Sequence, residues 1–578
     1  MRFSSFHGKV MGGLDRRIFG LAPKRREGRS CKLGFQPVPM RRARSLHRFR
    51  AGSSHTFGDG MTQLGRRSGD PWHGSGRGWS PTRHDGPLRR LGYGLALGAL
   101  MTVIVSGCSY GDAEPPDDGR MWLAGDHHVH SEFSGGYDHS TNPPTFNDGG
   151  DGTYPILRNV EMAQKYGLKW MVTTDHGGPL HSVIQRERAY PALLEARNAF
   201  PGMKVFYGME LDTPKTDHST VWIPKTDREA QALFEIESQF AVKDAWPEDP
   251  ERNTEERMIE ALRYMSAMPD APIVIKNHPS RTARGPGRWG IDTPEKLRRW
   301  HDAAPDVFIG FEGAPGHQAA SLNSDPSSPV YGVRGAYHHS PTMGGFDQMT
   351  AVVGGVWDAF LGEGRRWWIT ATSDSHLHYT EEGGIDFWPG EYTKTYVKAR
   401  DDYADIYAQI RAGHMFAVTG DLISELDITA REKRPFGWMN RTDSAVMGQT
   451  LAVRSGADVE VTIRFRIPDQ PNANGDRPSV RRVDLIMGDV APEAIDTAAF
   501  RNPTTEVVRR FYEGDWKVDG EYAVISYQIQ DVDHNVYLRV RGTNTNELEP
   551  EPDEKGENPW KDLWFYSNPI FIEVNGDG

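Results

Sequence analysis

The chain has 578 residues and a formal net charge of −12, with 21 histidines but only 2 cysteines. Its length suggests several segments rather than one ordinary domain, and its 24 Phe, 20 Tyr and 16 Trp can build large cores. Residues 1–107 carry 20 basic and 5 acidic side chains, whereas the rest carries 47 basic and 74 acidic ones. Because phosphate backbones attract positive charge, we expect no nucleic-acid partner for so acidic a body.

The amino-terminal part has two stretches of different composition. Residues 1–86 are rich in Arg, Gly and Ser with little hydrophobic periodicity, which predicts a disordered leader or a true start further along, for example at Met61. Residues 87–107 place a pair of arginines before a short apolar run that leads through "VSG" to Cys108. This run is too short for a comfortable membrane span and has the layout of a secretory signal.

The end of this signal resembles the bacterial lipobox, in which the cysteine is lipidated and becomes the new first residue. The resemblance implies a protein of the bacterial cell envelope, exported and anchored to the membrane through Cys108. A short buried helix with a chance cysteine is one alternative, and a transit peptide is another. Since Cys31 precedes the signal, the mature chain would have no disulfide-forming pair. Residues 108–120 are expected to form an acidic linker.

Strand-like apolar runs recur after the linker, with helical patterns between most of them. Seven strands are predicted, at 121–130, 168–176, 203–212, 218–224, 271–279, 306–313 and 366–376. Apolar residues spaced three and four apart predict helices at 154–167, 254–268 and 293–304. The alternation favours parallel strands with helical crossovers, arranged as an open sheet or a barrel.

The pattern changes from about residue 426. Stretches such as "DVEVTIRFRI", "RRVDLIMG" and "NVYLRVRG" alternate apolar with polar residues between turn-rich segments. Such alternation is typical of strands with one buried face. We therefore predict an α/β domain over 121–425 followed by an antiparallel β-sandwich domain over 426–578.

Histidines and carboxylates cluster at the ends of the predicted α/β strands. Because alternate residues of a strand share a face, His128 and His130 point one way and His127 the other. Divalent metals that activate water need imidazole nitrogen and carboxylate oxygen ligands with one coordination position left open. The candidate metal ligands are His128, His130, Asp175, His176, Glu210, His218, His278, Asp374 and His376. All of them follow their strands except His218, which opens its strand.

The order His-x-His, Asp-His, Glu, His, His, Asp-x-His resembles the PHP (polymerase and histidinol phosphatase) family of metallohydrolases, over residues 121 to about 420. The resemblance implies a distorted (β/α)7 barrel with two or three divalent ions, of Mn, Zn or Fe, at its mouth. It places Glu210 at the bridging-carboxylate position. It also places His127 where an apolar residue is usual, so this side chain should point away from the ions.

One departure from the family concerns the third ion. Where many members have Ser-Asp-Gly or a nearby histidine, this chain has Ser134, Gly135 and Gly136. We therefore expect two ions, with a third as the alternative if Asp138 or His139 reaches the site. Segment 404–423 and the terminal "SNPIFIEV" further resemble the subgroup related to carbamate hydrolases of the CehA/McbA type, in which a β-rich tail follows the barrel.

The leading interpretation is hydrolysis of a small-molecule phosphate ester by metal-activated water, with Asp374 or His376 as the group that transfers the proton. Arg281 and Arg284 follow the "NHPS" motif and would clamp an anionic substrate, although they could equally be solvated charges of a loop. Asp126 is expected to orient an imidazole. Two more histidines near predicted strand ends could line the pocket, namely His317 and His378.

Three other functions stay open at this point. Hydrolysis of a carbamate or carboxylic ester would use the same activated water. A noncatalytic metal-binding envelope protein belongs to a different class, and the nearly complete ligand set argues against it. A zinc amidohydrolase also opens with His-x-His, but the glutamate after the third strand and the closing Asp-x-His favour the PHP-type site.

Overall fold

A computed structural model describes residues 118–322, 334, 337, 340–434, 444–498 and 500–575. All of them belong to one compact unit, Cys108–Gly578. The predicted leader, the signal segment and the lipidation site at Cys108 lie outside the described residues. Among the described helices, none has the length and apolar character needed to cross a membrane.

The strands of the α/β part fall where the sequence predicts them, with short additions. In chain order they are β1 Met121–Val129, β2 Gly136–Asp138, β3 Thr145–Asn147, β4 Trp170–Thr173, β5 Lys204–Leu211, β6 Ser219–Ile223, β7 Ile273–Lys276, β8 Phe308–Ala314, β9 Trp368–Ala371, β10 Thr393–Ala399 and β11 Met415–Thr419. The α-helices are α1 Ile156–Lys165, α2 His181–Ile184, α3 Tyr190–Ala199, α4 Glu229–Phe240, α5 Glu255–Ser266, α6 Pro294–Ala303, α7 Gln348–Ala351, α8 Val356–Gly362 and α9 Tyr403–Arg411. A π-helical segment, Gln185–Ala189, joins α2 to α3.

These strands form part of one large mixed sheet, in the order β11-β10-β1-β4-β5-β6-β7-β8-β9. Neighbours are parallel from β1 through β4 to β5, and again from β7 through β8 to β9. The prediction of parallel strands is wrong at β6, which is antiparallel to both neighbours. The physical reason is the connection 212–218, which is too short for the helical crossover that a parallel pair requires.

The antiparallel direction of β6 explains the unusual position of His218. Parallel strands bring their carboxyl ends to one edge, and an antiparallel neighbour brings its amino end to that same edge. His218 directly precedes β6, so it lies with residues that follow the parallel strands. The ends of β1 and β9 also meet, since Val129 forms a parallel bridge with Ser375 and the His130 N–H donates to the Ser375 carbonyl at 3.0 Å.

The central strands are buried on both faces, as sequences rich in apolar residues require. Trp170 of β4 is fully buried, and its indole N–H donates to the Leu123 carbonyl at 3.0 Å. The ring lies against Gly125, where an added Cβ would stand 2.0 Å from it. Glycine at this position of β1 therefore makes room for the tryptophan.

The predicted helices begin and end at recognisable signals. Thr254 caps α5 by accepting a hydrogen bond from the Arg257 N–H at 3.2 Å, and Thr293 caps α6 in the same way. In α1 the buried side chains recur every three or four residues, at Ile156, Val160 and Ala163. These apolar stripes pack into the common core.

The carboxyl-terminal region is rich in β-structure. Its strands are β12 Glu425–Glu432, β13 Ser444–Val446, β14 Thr450–Arg454, β15 Ala457–Arg466, β16 Arg482–Asp489, β17 Glu506–Tyr512, β18 Lys517–Asp519, β19 Tyr522–Val532, β20 Val536–Thr543, β21 Trp564–Ser567 and β22 Ile570–Asn575. Five of them form an antiparallel sheet in the order β13-β12-β15-β19-β18. The others extend the large mixed sheet, because β21 pairs with β11. The expectation of purely antiparallel pairing fails at β14 and β22, which are parallel and far apart in sequence.

Candidate metal centre

Buried His, Asp and Glu side chains gather where β1, β4, β5, β7 and β9 end and β6 begins. Several groups of three or four could hold a metal ion, with donor atoms within 4.8 Å of one another. They are His128/His130/Glu210/Asp374, Glu210/His218/His278, His130/His176/His376, His176/Asp212/His218 and His317/His376/Asp386. The structure thus brings together eight of the nine ligands predicted from sequence.

The most buried group is formed by His128, His130, Glu210 and Asp374, each at most 3 % exposed. His128 Nε2 lies 3.0 Å from His130 Nε2, and 3.0 Å from both Glu210 Oε1 and Asp374 Oδ1. His130 Nε2 lies 3.1 Å from Asp374 Oδ1. The pair on β1 shares one face, as the spacing of two predicts, and meets carboxylates from β5 and from the segment after β9.

In each of the two imidazoles, the nitrogen that faces away from the group, Nδ1, forms a hydrogen bond. Nδ1 of His128 pairs with Glu312 Oε1 at 2.6 Å, and Nδ1 of His130 pairs with Ser134 Oγ at 2.8 Å. Ser134 Oγ donates its own proton to Asp175 Oδ1 at 2.8 Å, so it accepts from His130. With both Nδ1 atoms donating, each ring directs its Nε2 into the group, as a lone pair wherever that nitrogen carries no proton.

This donor set fits a cation. Two imidazole lone pairs and two carboxylates face one another at about 3 Å, and atoms that only accept hydrogen bonds repel unless positive charge lies among them. Imidazole and carboxylate are the ligands that Zn, Mn and Fe take in proteins. The alternative to a metal ion is a proton on His128. Burial opposes this protonation, but Asp374, Glu312 and Glu210 raise the pKa of His128 well above its usual value. Burial and the neighbouring His376 lower the pKa of His130 to about 3, so that ring stays neutral.

Glu210 belongs to two of the groups. Its Oε1 lies 3.1 Å from His278 Nε2, and its Oε2 lies 3.0 Å from His218 Nδ1. The Asn277 side-chain amide donates to Oε1 at 2.9 Å and fixes the carboxylate. Burial alone would raise the pKa of Glu210, but His218 and His128 hold it well below its usual value. The carboxylate is therefore ionised and shared by two groups that could each hold a metal ion.

The third group consists of His130, His176 and His376. The rings of His130 and His376 stack with centroids 3.8 Å apart, and His176 Nε2 lies 3.1 Å from Asp151 Oδ2. The hydrogen bond to His176 lowers the pKa of Asp151. Asp138 and His139, the alternative ligands for a third ion, are both exposed, at the end of β2 and directly after it. The carboxylate that approaches this group is Asp151.

Two predicted roles differ in the structure. Asp126 does not orient an imidazole: its carboxylate accepts from the backbone N–H groups of His128 and Ser373, both at 3.0 Å. It thereby joins β1 to the segment after β9. Asp175 is buried, and its oxygens accept hydrogen bonds from Ser131 and Ser134. Its carboxylate thus fixes the loop after β1 and, through Ser134, the ring of His130.

The remaining histidines have distinct environments. His127 is buried, with Nε2 2.8 Å from Thr370 Oγ1, and burial lowers its pKa to about 4. His317 joins the cluster, with Nε2 2.6 Å from Asp374 Oδ2 and Nδ1 in contact with Asp386. His378 is directed toward Glu391, with Nε2 2.9 Å from Oε2.

Sequence reasoning missed Glu312 and Asp386. Glu312 is fully buried in β8, where it accepts from the Thr372 hydroxyl at 3.0 Å and the His278 N–H at 2.6 Å as well as contacting His128. The sequence did contain a signal for Glu312, namely a carboxylate inside the apolar run "DVFIGFEG". A buried carboxylate rarely lacks partners, so this position indicated a polar contact inside the core. Asp386 also accepts from the His376 N–H at 2.7 Å.

The backbone at the cluster adopts conformations that side chains seldom take. His278, His317 and Asp374 have φ angles of 29°, 58° and 48°. Each such residue costs on the order of 1–3 kcal/mol, and such conformations concentrate at functional sites. Gly316, beside His317, has no room for a side chain, since an added Cβ would stand 2.0 Å from the Ser373 carbonyl oxygen.

A cavity of about 460 Å³ opens over the cluster and is lined by Glu210, His218, Asp374 and His376 among others. Two cations also line it, and each is tied to an acid: Lys243 Nζ lies 2.5 Å from Asp212, and Arg281 Nε lies 3.1 Å from Asp217. Arg284, proposed with Arg281 as a clamp, is exposed on the loop that follows. The cavity therefore combines metal-ligating groups with two cations that are each paired with a carboxylate.

Comparison with known proteins assigns no identity to the chain. No family model matches it, and no curated protein matches it. The chemistry of the centre therefore has to be inferred from its donors, its burial and its cavity.

Proposed function

We propose that the protein is a metal-dependent hydrolase, specifically a phosphoesterase of the PHP type. The observation that carries this proposal is the convergence of buried imidazole lone pairs and ionised carboxylates on the floor of an open cavity. Structural metal sites are closed, whereas catalytic ones leave room for water and substrate. The (β/α)7 barrel is part of the proposal, and the bridge between Val129 and Ser375 supports it because it joins the first and last strands of the set.

Two ion positions share Glu210. His128, His130 and Asp374 would complete the first, and His218 with His278 would complete the second. The His176 and His376 group, with Asp151 beside it, is the candidate for a third ion. Divalent ions in such sites lower the pKa of water and stabilise negative charge that develops on substrate oxygens.

The protein's own residues would bind and orient the substrate. Lys243 and Arg281 line the cavity and would attract the oxygens of a phosphate group. Nδ1 of His376 pairs with the Asp374 carbonyl at 2.9 Å, so its Nε2, which lies 3.6 Å from Asp151 Oδ2, would be the nitrogen that passes a proton to the leaving group when it is not an ion ligand. Glu312 and Ser134 keep His128 and His130 in the tautomer that presents Nε2.

A second candidate is hydrolysis of a carbamate or carboxylic ester at the same centre, as in the CehA/McbA-type subgroup. The observation that favours it is a cleft beside the cluster that includes the aromatic side chains Tyr137 and Trp246, which would suit the uncharged part of such a substrate. A noncatalytic metal-binding protein would need the same donors but no turnover. Assays separate the three functions.

The experiment uses the full chain purified in detergent and supplied with Mn, Zn or Fe. It is assayed against phosphate monoesters, phosphate diesters and aryl carbamates. We expect phosphate ester turnover that is lost in His128→Ala and Asp374→Ala. Turnover of carbamates alone would favour the second candidate, and bound metal without turnover would favour a noncatalytic role.

The cellular location is a separate part of the proposal. The lipobox-like sequence at Cys108 supports export and a lipid anchor in the envelope of a bacterium. Mass spectrometry of the protein from the membrane fraction should find a diacylglyceryl group on Cys108. A soluble product that retains residues 90–107 would contradict the anchor.

A further inference from the structure

A second cleft adjoins the cavity over the cluster. Its volume is about 680 Å³, and four residues line both spaces, namely His176, Val242, Lys243 and Asn253. A volume of this size lies within the range of small-molecule sites, roughly 300–1,000 Å³. A ligand held at the cluster could therefore extend into the cleft without a change of fold.

Two aromatic side chains, Tyr137 and Trp246, line this cleft. Tyr137 lies on β2, where its ring packs edge-on against Phe146 at 5.4 Å and covers Gly178. Trp246 is 37 % exposed, and its indole N–H donates to Asn142 Oδ1 at 3.1 Å. That hydrogen bond fixes the orientation of the indole while part of its surface stays accessible.

Backbone and apolar groups line another part of the cleft. Gly135, Gly177, Gly178 and Pro179 contribute, together with Val242. Side chains are excluded at two of the glycines: a Cβ on Gly177 would stand 2.2 Å from the His181 ring, and one on Gly178 would stand 3.2 Å from the Tyr137 ring. Glycine at these positions therefore keeps this part of the lining free of side chains.

The two adjoining spaces differ in chemistry. The cavity over the cluster is lined by carboxylates, imidazoles, Lys243 and Arg281, whereas the cleft adds the aromatic side chains Tyr137 and Trp246 to a mixed lining that also includes His139, Glu248 and Asp249. A ligand that fits both has a polar, reactive end and an aromatic end. Aromatic rings prefer offset-stacked or edge-on packing against other aromatic rings, which both side chains can provide.

We infer that the cleft is a binding subsite for the aromatic leaving group of the ester that the cluster hydrolyses. The inference rests on the proposed function and narrows its substrate class to aryl esters. In hydrolysis, water supplies the new oxygen on phosphorus, the bond from phosphorus to the aryl oxygen breaks, and that oxygen leaves as the phenol after taking up a proton. The phenol would then lie between Tyr137 and Trp246.

The test compares p-nitrophenyl phosphate with methyl phosphate in the full chain loaded with Mn²⁺. In Trp246→Ala, the ratio of kcat/KM for the aryl ester to that for the methyl ester should fall about tenfold, mostly through KM. Trp246→Phe keeps an aromatic ring and should recover most of the ratio. Tyr512→Ala removes an aromatic side chain that is 46 % exposed on β17, and it should leave the ratio unchanged.

A binding measurement separates this inference from the proposed function. Saturation-transfer NMR should detect p-nitrophenol on the unmutated chain and on Tyr512→Ala, and the signal should be lost in Trp246→Ala. If neither ester is hydrolysed, the phosphoesterase proposal fails, yet the p-nitrophenol signal still decides whether the cleft binds aromatic groups. An unchanged ratio, or a signal unaffected by Trp246→Ala, would overturn the inference.

Discussion

Glu312 accepts a hydrogen bond from Nδ1 of His128 at 2.6 Å, and both side chains are fully buried. The carboxylate sits on β8 and the imidazole on β1, so two distant parts of the chain determine which nitrogen of His128 faces the cluster. Glu312 also accepts from the His278 N–H at 2.6 Å, which ties it to a second candidate ligand. It therefore contacts one candidate ligand from each of two groups that share Glu210.

Glu312→Gln should weaken ion binding by roughly 10–100-fold, because partners of metal-bound imidazoles fix the tautomer and raise ligand basicity. The dissociation constant for Mn²⁺ or Zn²⁺, measured by competition with a chelating dye, checks this. Glu229→Gln is the matched control, since Glu229 is equally buried but pairs at 2.6 Å with Arg197, which is not a candidate ligand. Equal affinities in Glu312→Gln and the unmutated chain would show that Glu312 has no role in holding the ions.

Ser134→Ala should also weaken ion binding, by about tenfold, because it removes the acceptor of His130 Nδ1 and lets the ring change tautomer. The same dye competition measures the effect. Ser182→Ala is a close control: Ser182 is buried and donates to a carboxylate, Asp244, at 3.0 Å, without contacting a candidate ligand. A loss of affinity as large in Ser182→Ala would point to general destabilisation instead of a role for Ser134.

The parts of this centre that depend on neighbouring residues in the sequence could be predicted, whereas those that depend on contacts between distant elements could not. The pairing of His128 with His130 follows from the period of a strand, which is a local property. The antiparallel direction of β6 was also accessible, since only five residues, 213–217, separate the two predicted strands. Glu312 and Asp151 were not identified, because their partners lie in other elements and a single sequence contains no information on which loop or strand will be the neighbour.

The carboxyl-terminal strands show the same limit. Alternation predicted β15 correctly, and its buried residues do alternate with less buried ones. Nothing in that alternation indicated that β21 would pair with β11 and so extend the mixed sheet. Local pattern determines the strand, whereas the choice of neighbour depends on packing between distant segments.

Asp358→Ala should lower the free energy of unfolding by about 3–5 kcal/mol, because it leaves Arg539 charged and buried. Asp358 on α8 and Arg539 on β20 form two hydrogen bonds, at 2.7 and 2.8 Å, with no exposure of either side chain. Urea denaturation measures the change. Glu573→Ala breaks an exposed pair with Arg366 and should cost under about 1 kcal/mol. A similar small cost for Asp358→Ala would contradict this role of the buried pair.

The buried side chain of His301 should make stability depend on pH. Burial, with the charge of Arg365, lowers its pKa from 6.5 to about 4. Between these values the unfolded chain binds more protons than the folded one, so the free energy of unfolding falls as the pH drops from 6.5 toward 4. His301→Gln should reduce this fall, as measured by urea denaturation at a series of pH values. A parallel pH dependence in both proteins would contradict the assignment.

The central claim is that the cluster around Glu210 binds divalent ions, and ion content tests it most directly. The full chain, purified after growth with Mn, Zn and Fe, should carry two ions per chain by plasma mass spectrometry, or three if the group beside Asp151 is also filled. A chelator should remove them and lower the Tm, and Mn²⁺ or Zn²⁺ should restore it, because an ion that binds only the folded state stabilises that state. Asp374→Asn should carry fewer ions. Well under one ion per chain, with a Tm that does not respond to chelator or metal, would contradict the claim.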